Sequence, residues 1–135
     1  MANQHDIYKK ILVCEDEEAL SLSLKDNLID EGFDVILAKN GKEGLATALR
    51  EKPNLILLDI LMPKMDGMTM MAELRKNEWG KKVPIIILTV LEINEERMKG
   101  VMRDGPSYYL VKTSSTIGGI IEKIRTIPGF EKKIG

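Results

Sequence analysis

A chain of 135 residues fits one domain with a single core, and 44% hydrophobic with 30% charged residues is an ordinary soluble balance. A formal net charge of -1 gives no global basic field for nucleic acid or an anionic membrane, and 4% aromatic residues leave no base-stacking platform. The start, Met1 to Lys10, lacks an apolar leader and no run approaches a membrane span, so a cytoplasmic protein is expected.

In chain order, the first apolar run is Ile11–Cys14, which reads as a buried parallel strand. Its Cys14, the single cysteine, has no internal disulfide partner and is read as a small buried hydrophobe. Leu20, Leu24 and Leu28 then recur every four residues, a helix stripe that Gly32 stops. A second strand, Asp34–Ala38, leads to Asn40, a capping residue for a helix with Leu45, Ala48 and Leu49 on one face, ended before Pro53. Leu55–Leu58 is the third strand, and Met68, Met71 and Leu74 stripe the third helix. Ile85–Leu88 is the fourth strand; Asn94 caps a helix carrying Met98, Val101 and Met102, which Gly105-Pro106 closes. Tyr108–Val111 is the fifth strand, and Ile117, Ile120, Ile121 and Ile124 stripe a last helix ended by Pro128-Gly129.

Five strand–helix units in alternation force parallel strands with helices on both faces, an α/β architecture. Five are too few for the eight-stranded barrel. What remains is an open, doubly wound, five-stranded parallel sheet of flavodoxin-like order 2-1-3-4-5, whose first and third strands flank the topological switch point. A single domain over residues 1–135 is expected, with a core of about 10–127 and short tails 1–9 and 128–135.

Polar residues follow the strands at the edge where such sheets bind ligands. Glu15-Asp16 follow the first strand, Asp59 the third, Thr89 the fourth and Lys112 the fifth. Three crowded carboxylates repel one another unless a cation neutralises them, and hard oxygen ligands of this number suit Mg²⁺. A carboxylate such as Asp59 can attack phosphorus and hold an aspartyl-phosphate. Lys112 can pair with a phosphate oxygen as a point charge, and Thr89 can donate a hydrogen bond to another.

The segment Asp59-Ile60-Leu61-Met62-Pro63-Lys64-Met65-Asp66-Gly67 resembles the phosphoacceptor motif of response regulator receiver domains. Glu15-Asp16, Thr89 and Lys112 fall where that family has its acidic pair, switch hydroxyl and lysine, and the match in order and spacing runs from Lys10 to about Ile127. The resemblance, to a single-domain chemotaxis-regulator-like receiver, implies that Asp59 is phosphorylated by a histidine kinase or phosphotransfer protein. It implies Mg²⁺ held by Glu15, Asp16, Asp59 and the backbone carbonyl of Leu61. It implies that Tyr109 changes rotamer with Thr89, so that the surface of helix 4, strand 5 and helix 5 signals to a downstream protein or a missing output domain, and that a weak dimer through that surface is possible. Such a domain assists its own phosphotransfer and slow dephosphorylation without being an enzyme in the usual sense.

The chain departs from the family's pattern at Thr113, where proline is usual after the lysine, at Val90, where a small residue is usual, and at Ser107-Tyr108, where an acidic pair is common. Competing readings are a Mg²⁺-dependent phosphohydrolase, which needs a second acid where Leu61 stands, and a flavin module, whose phosphate the acidic loop Glu15–Glu18 would repel. A receiver that binds partners without accepting phosphate is the last alternative, and the intact set of five polar residues argues against it.

Overall fold

The five apolar runs form one parallel sheet in the order β2-β1-β3-β4-β5, as the sequence predicts. The computed structural model describes residues 9–103 and 105–132; His5, read from sequence as inert, lies outside them. The strands are β1 (Lys10–Cys14), β2 (Asp34–Ala38), β3 (Leu55–Leu58), β4 (Ile85–Thr89) and β5 (Tyr108–Val111). The helices between and after them are α1 (Glu18–Asp30), α2 (Gly41–Glu51), α3 (Gly67–Arg75), α4 (Glu95–Arg103) and α5 (Ile117–Arg125).

Successive side chains of a strand face opposite sides of the sheet, and the core divides accordingly. Leu12, Cys14, Ile56, Leu58, Ile85 and Ile87 pack with Ala48, Met70, Met71, Leu74 and Val101 of α2, α3 and α4. Ile11, Val13, Leu55, Leu57, Ile86 and Leu88 pack with Leu24, Leu28, Ile120 and Ile124 of α1 and α5. Strands covered on both faces must be apolar throughout, which is why β1, β3 and β4 read as unbroken runs. The edge strands β2 and β5 are only half-buried.

The start and stop signals act as expected. Asn40 accepts from the Glu43 amide at 2.8 Å, Asn94 accepts from the Arg97 amide at 2.9 Å, and Gly32 turns the chain after α1 at φ +95°. The stripes are less regular than the spacing suggests. Leu49 and Met102 face solvent, whereas Met70, outside the expected stripe, is fully buried. Gly44, with no side chain, lets α2 lie close, and Met70 fills the space that a Cβ there would occupy. The core also reaches past residue 127. Phe130 is 3% exposed and packs against Phe33 in a tilted pair with ring centroids 5.7 Å apart, with the Arg125 guanidinium 4.7 Å from the Phe33 ring.

Candidate functional site

Parallel register brings the polar residues together. Cys14 pairs with Leu58, so Glu15 and Asp59 emerge side by side one residue later, and the Asp59 amide donates to the Cys14 carbonyl at 3.0 Å. Thr89 pairs with Val111 at the end of β4, so Lys112 emerges just beyond it. That pairing draws Thr89 into the strand, one residue further than the apolar run alone indicates.

Glu15 and Asp59 are each 4% exposed, and Thr89 is 0% exposed, while Asp16 lies in solvent. Charged groups at this depth need partners. Lys112 provides them: its Nζ stands 2.7 and 2.9 Å from the two carboxylate oxygens of Glu15 and 2.9 Å from Asp59 Oδ2. Asp59 Oδ1 accepts from the Leu61 amide at 3.2 Å, and Glu15 Oε1 accepts from the Glu17 amide at 3.3 Å.

Burial is the largest influence on Glu15. Burial and the nearby charge of Asp59 push its carboxyl up to about 7, against the pull of the Lys112 hydrogen bonds. Burial pulls Lys112 down, but its bonds to Glu15 and Asp59 outweigh that and hold the ammonium above its ordinary value. Desolvation first, then the charge of Glu43, raises Cys14 far above the range of a reactive thiol, in keeping with its packing role.

One oxygen each from Glu15, Asp16 and Asp59 lies within 4.8 Å of the others. A hard oxygen set of this kind fits Mg²⁺ and would relieve the repulsion between the carboxylates. The loop after Asp59 is tightly folded. The Gly67 amide donates to the Ile60 carbonyl at 2.9 Å, Lys64 adopts φ +68°, and Asp66 caps α3 by accepting from the Thr69 amide at 2.8 Å. Sequence reasoning placed Asp66 only within a motif; its spacing to Thr69 is the capping signal.

Thr89 and Tyr109, expected from the resemblance to act as switch residues, sit on the neighbouring strands β4 and β5. Thr89 Oγ1 accepts from the Leu91 amide at 3.4 Å, and the Tyr109 hydroxyl donates to the Leu91 carbonyl at 2.6 Å. Both side chains therefore hold one short segment of the β4–α4 loop. Among the described residues no peptide bond is cis, so the Lys112–Thr113 bond is trans. Two groups escaped the sequence reading. Thr116 caps α5 by accepting from the Gly119 amide at 2.9 Å. Arg75 donates to the carbonyls of Gly80, Val83 and Gly105, tying α3 to the loops flanking β4.

The comparisons agree with this geometry. The family model of the response regulator receiver domain matches residues 11–125. The probable transcriptional regulator ycf27 of Porphyridium aerugineum is 43% identical over 107 residues, covering 79% of this chain and 43% of that protein. The alkaline phosphatase synthesis transcriptional regulatory protein PhoP of Bacillus subtilis is 39% identical over 107 residues, again 79% of this chain and 43% of that protein. This chain thus spans less than half the length of these relatives. Among solved structures, the chemotaxis protein CheY4 of Vibrio cholerae superposes with a TM-score of 0.81 at 26% identity, covering 89% of this chain and 98% of that one. The receiver domain of the Pseudomonas aeruginosa sensor histidine kinase PA1611, solved with a magnesium ion coordinated in its active-site cleft, gives 0.78 at 27% identity, covering 88% and 96%. With nearly the whole fold matched and an acidic pair, acceptor-type aspartate, hydroxyl and lysine gathered on one sheet edge, the chain belongs to the response regulator receiver domains of two-component signalling.

Proposed function

We propose that this receiver accepts a phosphoryl group on Asp59, with Mg²⁺ as cofactor, from a histidine kinase or a phosphotransfer protein. The observation that carries the reading is the lysine bridge. An aspartate buried at the end of the central strand has an ammonium 2.9 Å from one oxygen and a second buried carboxylate sharing that ammonium. Glu15, Asp16, Asp59 and the Leu61 carbonyl would hold the cation, which supplies charge neutralisation for the transferring group. An Asp59 oxygen attacks phosphorus, the bond from phosphorus to the donor nitrogen breaks, and the donor imidazole leaves with the electron pair. Lys112 then pairs with one phosphoryl oxygen, and Thr89 donates its hydroxyl proton to another.

The switching surface proposed is α4, β5 and α5. Thr89 and Tyr109 both hold the Leu91 segment, so a pull on Thr89 reaches the entry to α4. A downstream protein, or an output domain in a longer chain, would read that surface, and a weak dimer could form through it. Residues 10–127 are proposed as the receiver unit of a cytoplasmic protein. No helix among the described residues is long and apolar enough to cross a membrane. The role is that of a signalling switch, with any dephosphorylation slow and self-assisted. The test is intact mass spectrometry after acetyl phosphate and MgCl₂. One added phosphoryl group is expected, lost when MgCl₂ is replaced by EDTA; no labelling under either condition would overturn the reading.

A further inference from the structure

We propose that Ser115 is a positioning residue for Lys112, fixing the turn from which the lysine reaches across the sheet edge to Asp59. The proposal rests on the reading of Asp59 as a phosphoacceptor served by Lys112. The run Lys112-Thr113-Ser114-Ser115 contains neither proline nor glycine, so hydrogen bonds must shape it. It forms a 3₁₀ turn over Lys112–Ser114, and Ser115 closes it. The Ser115 hydroxyl donates to the Val111 carbonyl at 2.8 Å, and the Ser115 amide donates to the Lys112 carbonyl at 3.3 Å. Those two carbonyls belong to the peptide planes on either side of the Lys112 Cα. One residue thus holds both planes, and with them the direction in which the lysine stem leaves the backbone. Ser114 also donates to the Val111 carbonyl, but from an exposed position and at 3.3 Å.

Ser115 is itself tied down on both sides. Val111 pairs with Thr89 at the end of β4, Thr116 caps α5 through the Gly119 amide, and Ile120 and Ile124 seat α5 in the core. Ser115 is half-buried and lines a cavity with Leu20, Leu88, Ile117 and Ile120 directly beside Lys112. Its backbone is extended, at φ -123° and ψ 138°, a conformation that β-branched residues adopt readily. The lysine side chain multiplies any slack in the turn. A rotation of about 10° at the Cα, carried along a stem of about 6 Å, moves the ammonium by about 1 Å. The ammonium stands 2.9 Å from Asp59 Oδ2, so a shift of that size away from the acceptor ends the hydrogen bond.

The test is made on the full chain with Ser115→Ala, Ser115→Val and Ser115→Thr, and with Ser114→Ala as control, each checked for folding by circular dichroism. Valine and threonine share a shape and differ in the hydroxyl, so that pair reads the hydrogen bond even where alanine disturbs the fold. Labelling by acetyl phosphate and MgCl₂ is timed by intact mass spectrometry, and the ¹⁵N and ¹H signals of the Lys112 ammonium are recorded without metal. Ser115→Ala and Ser115→Val should label about tenfold more slowly, within the roughly hundredfold that a displacement near 1 Å costs. Their Lys112 signals should move. Ser115→Thr should recover both the rate and the signals, and Ser114→Ala should match the parent. Equal rates in the valine and threonine variants would overturn the proposal. So would slow labelling of Ser115→Ala with the Lys112 signals unmoved, which marks a structural loss alone, or an equal slowing in Ser114→Ala. A parent that takes no label would sink the reading of Asp59, and the Lys112 signals of the valine and threonine pair would still show whether Ser115 directs the lysine.

Discussion

Replacing Gly41 by alanine should disable the proposed phosphoacceptor site from a distance. A Cβ at this first residue of α2 would lie 1.9 Å from the Met65 carbonyl oxygen, in the loop that joins Asp59 to α3. Carbon–oxygen contacts settle near 3.3 Å, so the loop or the helix must shift by about 1.4 Å. The loop has little slack, because its amides already bond the Pro63 and Ile60 carbonyls and Lys64 sits at positive φ. Overpacking of this kind costs about 1–3 kcal/mol of stability, and a displacement near 1 Å in a positioning segment costs about a hundredfold in rate. Gly80→Ala is the control. Its Cβ would meet the Leu74 carbonyl at 2.0 Å, an equal clash in the loop between α3 and β4, away from the strand ends that carry the acidic site. Urea unfolding should show both variants destabilised alike. Calorimetry and mass spectrometry should show Mg²⁺ binding and acetyl-phosphate labelling impaired only in Gly41→Ala. Parent-like labelling in a folded Gly41→Ala variant would refute the steric argument.

The raised carboxyl of Glu15 makes metal-free stability depend on pH. Between its ordinary 4.5 and about 7 the native state keeps a proton that the unfolded chain has lost, so urea midpoints should fall as pH rises through that window. Glu15→Gln should flatten the profile, and an unaltered slope would contradict the assignment. Tyr109→Phe removes the 2.6 Å bond to the Leu91 carbonyl and should cost about 1 kcal/mol, with NMR shifts concentrated in the β4–α4 loop. Phe130→Ala empties the seat against Phe33 and should cost about 3–5 kcal/mol in urea unfolding without slowing labelling of Asp59, since Phe33 precedes β2 at the far end of the sheet.

Much of this was legible in the chain because the physics is local. Leu55–Leu58 is apolar at every position because helices cover both faces of β3, and Asp59 interrupts that run. Asn40 and Asn94 carry their capping roles in their own side chains, and Gly32 turns the chain because it has none. What stayed hidden depends on partners remote in sequence. Glu15 and Asp16 look interchangeable as letters, yet one is buried against Lys112 and the other is in water. Helix spacing cannot say that Gly44 in α2 makes room for Met70, nor that Phe130, beyond the last stripe, finds Phe33. Lys64 at positive φ carries no signal comparable to a glycine.

The most direct test of the central claim is the chemical location of the phosphoryl group. The chain is treated with acetyl phosphate and MgCl₂, reduced with borohydride, which converts an aspartyl-phosphate to homoserine, and digested for peptide mass analysis. The account predicts homoserine at position 59 and nowhere else, with Asp59→Asn leaving no reduced residue. Conversion at Asp16, at Glu15 to the corresponding alcohol, or unchanged labelling of Asp59→Asn would contradict it.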